Sequence, residues 1–86
     1  MEEQKIKQDI CIGANIRAIR KERGLKQTEL VSLLQLEGAS MTREALVKIE
    51  RGKQHIQASQ LRTIKRVLGT TYEELLERRS APGPKA

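Results

Sequence analysis

At 86 residues the chain has room for one domain with a modest core and none for a second catalytic or sensory domain. Its 37% hydrophobic content is aliphatic, with no Phe, no Trp and one Tyr, which argues against a large cofactor cavity and against single strands that stack on aromatic platforms. With 17 Lys+Arg against 11 Asp+Glu the formal charge is +6, a balance that suits the phosphate backbone of a duplex but also fits a merely soluble, basic helical protein.

Residues 1–9 are polar and without periodicity, and read as a flexible arm ending in Asp9, a good N-cap. Ile12, Ile16 and Ile19 then recur at helical spacing, predicting a first helix from Ile10 to Arg23, with Arg17, Lys21 and Arg23 off its apolar stripe and Gly24 as its stop. Leu25 and Lys26 form a joint to a second helix that begins at Gln27. Its Leu30, Leu33 and Leu34 are expected on one face, Glu29 favours the positive end of the helix dipole, and the pattern runs to Leu36 before Gly38. The linker Gly38 to Met41 is about four residues, a length expected between the two helices of a helix-turn-helix unit.

Ser40 and Thr42 both qualify as N-cap of a third helix, and Thr42 is favoured because it sets Leu46 and Ile49 on one face. This helix closes near Gly52 and leaves Arg43, Glu44, Val47, Lys48 and Arg51 elsewhere on its surface. A polar loop from Lys53 to Gln57 follows, with Ile56 as its one apolar anchor. Ser59 is the expected cap of a fourth helix carrying Leu61, Ile64 and Leu68, closed by Gly69. Thr70 and Thr71 each have a Glu three residues on, Glu73 and Glu74, so two overlapping capping boxes announce a fifth helix through Arg79 with Tyr72, Leu75 and Leu76 as its apolar residues. Residues 10–79 thus form the expected domain, and residues 80–86 read as a disordered tail by composition. No strand pattern and no repeat is present, so the fold class is all-α.

Three stretches, Gln27-Thr-Glu-Leu30, Leu46-Val-Lys-Ile-Glu-Arg-Gly52 and Leu68-Gly-Thr-Thr-Tyr-Glu-Glu-Leu75, together resemble the phage-repressor (Cro/XRE) type of helix-turn-helix domain. The resemblance covers about Ile12 to Leu76. It implies a compact five-helix, lambda-repressor-like domain that binds double-stranded DNA as a two-fold homodimer and regulates transcription. It places Arg43, Glu44 and Lys48 on the face of the third helix that meets base edges in the major groove, the alternative being a solvated helix face. The chemistry agrees, because Arg and Lys donate to guanine O6 and N7, Glu accepts from cytosine N4, and Val47 suits a thymine methyl group.

The resemblance also gives Gln27, at the start of the second helix, a grip on phosphate, a task that suits any helix N-terminus. Thr42, Arg51, Lys53 and Gln54 look like further backbone clamps, and His55 either joins them or is simply solvated. Such contacts position the protein without specifying sequence. Glu50 matches the family glutamate that pairs with an arginine of the first helix, here Arg20, as structural support for the angle between helices. The segment from Gln35 to Met41 departs from the pattern. It is longer than the usual turn, and either extends the second helix or forms a small flap near the DNA.

One cysteine, Cys11, and one histidine, His55, cannot build a metal site of three or four ligands, and no internal disulfide is possible. Cys11 reads as a small core residue, and the setting as reducing and cytoplasmic. No apolar run approaches the roughly 20 residues of a membrane span, and the start is no signal peptide. Catalysis needs two or three convergent groups in a cleft, ingredients missing here, so neither an enzyme nor a cofactor is expected. The leading reading is a DNA-binding regulator, a repressor, on a palindromic operator, paired through its fifth helix with the Leu36 region or the N-terminal arm. The alternative is a DNA-binding antitoxin or adaptor that acts mainly through a protein partner, which predicts a surface apolar patch.

Overall fold

The computed structural model describes residues 11–78, so the expected arm with its Asp9 cap and the tail at residues 80–86 lie outside the described residues. Five helices make up the described chain: α1 Ile12–Glu22, α2 Gln27–Leu36, α3 Arg43–Glu50, α4 Ala58–Leu68 and α5 Tyr72–Glu77. No strand occurs among the described residues. The fold is all-α. α1 packs on α3 and α5, and α2 packs on α3 and α4.

The core is drawn from every helix. Ile16 and Ile19 come from α1, Leu30, Val31 and Leu34 from α2, Leu46 and Ile49 from α3, Ile64 and Leu68 from α4, and Leu75 from α5. Met41 joins them from the α2–α3 connection. Burying one such side chain is worth about 1.5–3 kcal/mol. That sum decides the case of α5, whose six residues fall well short of the roughly 12–15 that make an isolated helix even marginal. α5 exists because Leu75 is fully buried and because the Thr71 hydroxyl oxygen accepts the Glu74 N–H at 3.0 Å.

Two polar contacts tie the outer helices to α1. Asn15 is fully buried and donates from Nδ2 to the Leu75 carbonyl oxygen at 2.8 Å. Arg23 donates from Nε to the Leu68 carbonyl oxygen at 2.8 Å, at the left-handed turn where Gly69 has φ of 63° and ends α4.

Several expectations need correction. α1 starts at Ile12 with Cys11 in the N-cap place, and Cys11 is exposed rather than part of the core, because it stands ahead of the stripe that faces α3 and α5. On α2 the third buried residue is Val31 and not Leu33, which is 38% exposed. The packing of α2 between α3 and α4 rotates the core to the Val31 side of the Leu30–Leu34 line. α4 begins at Ala58, one residue before the expected cap Ser59, because Gln60 Oε1 accepts the Gln57 N–H at 3.0 Å and so closes that end. Of the two candidate caps Thr71 is the one used, through the bond of its hydroxyl oxygen to the Glu74 N–H. The Thr70 N–H is taken by the Lys65 carbonyl at 3.1 Å in closing α4, and α5 ends at Glu77, short of Arg79.

Candidate nucleic-acid interface

α3 is set off sharply at both ends. Thr42 has extended φ and ψ of −103° and 164°, and its hydroxyl oxygen accepts the Ala45 N–H at 3.0 Å. At the far end Gly52 takes φ of 76°, and the Lys53 N–H returns to the Lys48 carbonyl at 2.8 Å. At about 100° per residue, Arg43, Val47, Glu44 and Lys48 occupy one arc of the helix, and Ala45, Ile49, Leu46 and Glu50 the opposite arc. Burial follows that division. Leu46, Ile49 and Glu50 are buried, whereas Arg43, Glu44 and Lys48 are exposed and Val47 is half-buried. The four residues expected to read bases therefore share one side of one short helix.

The residues expected on the phosphate backbone lie around it. Thr42 is exposed just before α3, and Arg51, Lys53, Gln54 and His55 are exposed in the loop just after it. Gln27 is different. It is half-buried, and its Nε2 donates to Glu50 Oε1 at 3.0 Å, so part of its side chain is engaged within the protein.

Glu50 is the hub of that contact. Its Oε2 accepts Arg20 Nε at 2.8 Å and its Oε1 accepts Arg20 Nη2 at 3.0 Å, a two-point geometry, with both residues 6% exposed. Arg20 Nη1 also donates to the Leu25 carbonyl oxygen at 2.8 Å. A buried pair of this kind recovers its desolvation cost only when its remaining donors and acceptors are satisfied, and here Gln27 and Leu25 supply the additional bonds. The result joins α1, the start of α2 and the end of α3 at one point.

Close packing reinforces the joint. A Cβ on Gly13 would sit 1.8 Å from the Ile49 carbonyl oxygen, so only a residue without a side chain lets α1 approach the end of α3 this closely. In the sequence Gly13 is marked only as a lone glycine inside a helical pattern. Asn15 is not marked at all, since an asparagine in a helix usually faces water.

α2 takes the extra turn to Leu36 that the helical pattern allowed, and the rest of the connection is not helical. Residues 37–42 cross from one helix to the next as a strap, two residues longer than the expected linker at residues 38–41, with the Ala39 N–H on the Leu34 carbonyl at 2.9 Å and Met41 in the core.

Among the described residues no three His, Cys, Asp or Glu side chains gather where they could hold a metal ion. No helix among them is long and apolar enough to cross a membrane. Neither a curated protein nor a solved structure gives a match to the chain. A family model for the helix-turn-helix domain does match, over residues 12–78, which takes in all five helices. With α2, the strap and α3 in the places such a unit requires, the chain belongs to the helix-turn-helix domain family, one associated with XRE-like DNA-binding domains.

Proposed function

We propose that the protein is a cytoplasmic transcriptional regulator, a repressor, that recognises a specific sequence in double-stranded DNA by laying α3 in the major groove. The observation that carries this reading is the two-sidedness of α3: Leu46, Ile49 and Glu50 lock one side into the domain, and Arg43, Glu44 and Lys48 project from the other. Arg43 and Lys48 then donate to guanine O6 and N7, Glu44 accepts from cytosine N4, and Val47 meets a thymine methyl. Gln27, through its backbone N–H at the start of α2 and the remainder of its amide, holds a phosphate together with Thr42, Arg51, Lys53, Gln54 and His55. Two copies related by two-fold symmetry place two α3 helices about 34 Å apart, on half-sites one turn of duplex from each other.

Selection of binding sites from a random duplex pool at near-physiological salt tests this directly. The expected outcome is a palindrome with G·C pairs at the positions facing Arg43, Glu44 and Lys48. Enrichment of no motif overturns it.

The second reading, an antitoxin or adaptor acting through a protein partner, is favoured by Leu36 and Leu33 of α2, 81% and 38% exposed. Under that reading Leu36→Asp abolishes capture of the partner while leaving DNA affinity unchanged.

A further inference from the structure

The strap between α2 and α3 is held by side chains from two different helices. Gln35, in the last turn of α2, donates from Nε2 to the Met41 carbonyl oxygen at 2.9 Å. Gln60, in the first turn of α4, donates from Nε2 to the Ser40 carbonyl oxygen at 3.3 Å while its Oε1 accepts the Gln57 N–H at 3.0 Å. The Met41 side chain enters the core and is 2% exposed. Next along the chain comes Thr42, the cap of α3, and then Arg43, its first residue.

Two consecutive carbonyl groups, each taken by an amide from a different helix, leave the strap little room to shift. The far end of α3 is already pinned through Glu50 to Arg20 and Gln27. Leu46 and Ile49 seat the inner side of α3 in the core, which leaves the tilt of its first turn to what holds the strap. Holding the other end as well fixes its direction. Neither glutamine fills the core, for Gln35 is exposed and Gln60 half-buried.

We infer that Gln35 and Gln60 are positioning residues: through the Met41 and Ser40 carbonyls they set the angle at which Arg43 and Glu44 meet base edges, and so the duplex sequence the domain prefers. The inference rests on the base-reading role proposed above for α3. Base-edge hydrogen bonds weaken steeply with angle, so a small swing of α3 removes sequence preference while phosphate contacts, which are sequence-blind, persist.

The test uses the full chain and three variants. Gln35→Met is neutral and of similar length but has no donor, Gln35→Lys restores a donor, and Gln60→Glu keeps the acceptor that caps α4 while deleting the donor to Ser40. Affinity is measured for the duplex that the unaltered protein selects and for a random duplex, with thermal unfolding followed in parallel. Gln35→Met and Gln60→Glu are expected to lose about tenfold in the ratio of selected to random binding, the size of one weakened base contact, with little change in melting temperature. Gln35→Lys recovers the ratio. Full preference in Gln35→Met and Gln60→Glu overturns the inference, as does a loss of preference that merely tracks a fall in melting temperature. An unaltered protein that prefers no duplex overturns the base-reading role itself, and that result is visible before any variant is made.

Discussion

Arg43 and Lys53 carry the same charge at opposite ends of α3, and the difference between them is what lies behind each. Arg43 stands on the first turn of α3, whose axis is held by the core and by the Thr42 cap, whereas Lys53 sits in the exposed loop that follows Gly52. A guanidinium on a rigid helix can hold the two-point geometry that guanine requires, and a loop ammonium acts as a point charge on phosphate. Arg43→Ala is therefore expected to weaken the selected duplex by about 1–3 kcal/mol and to relax the choice at one base pair. Lys53→Ala should weaken all duplexes alike and lower the slope of log K against log salt by about 1. Competition titrations at two salt concentrations separate the two, and identical behaviour of both variants on every sequence would rule out this division of roles.

At the scale of elements, the contact between α1 and α3 sets local preference against packing. Alanine is the better helix former by about 0.8–1.0 kcal/mol, so Gly13→Ala on an isolated α1 would be stabilising. Within the domain the added Cβ meets the Ile49 backbone, which cannot rotate away as a flexible side chain could. Overpacking of this sort costs about 1–3 kcal/mol or more, and it also pushes on the segment that carries Glu50. The packing term wins. Gly13→Ala is expected to lower the stability measured by denaturant titration by about 1–2 kcal/mol net; an increase would mean that α1 and α3 part without cost.

Across the whole molecule the positive balance hides a local reversal. Glu22 at the end of α1 and Glu73, Glu74 and Glu77 of α5 line one shallow depression with Arg78, and Arg78 pairs with Glu22 and, at 3.5 Å, with Glu74. The hydrogen bond from Arg78 holds the Glu22 carboxyl below its ordinary value of 4.5, and Glu22 in turn raises Arg78. A carboxylate shifted down contributes stability that is whole above its unfolded value and disappears as the pH falls through the lower folded value. Because the pair is exposed and screened by salt, its contribution is small. Thermal melts should show Glu22→Gln slightly less stable than the unaltered protein near neutral pH, with the gap closing in acid below the folded value; a gap that persists there would trace to another cause.

The amino-acid sequence by itself determined what is local. Caps and stops act over one turn, which is why Thr42, Thr71, Gly52 and Gly69 were legible, and the helical recurrence of Ile16, Ile19, Leu46, Ile49, Ile64 and Leu68 named most of the core. The three motif stretches were likewise enough to indicate the family to which the chain belongs. What only the tertiary structure decided is every choice between locally equal options: Val31 over Leu33, Gln57 and Gln60 over Ser59, exposure over burial for Cys11, and the route of the strap. Periodicity gave the Leu30–Leu34 line of α2, but which flank of that line joins the core depends on where α3 and α4 lie. The amides of Gln35 and Gln60 find carbonyl groups that local pattern could not assign to them, 6 and 20 residues away. Those distant partners hold the strap that leads into α3.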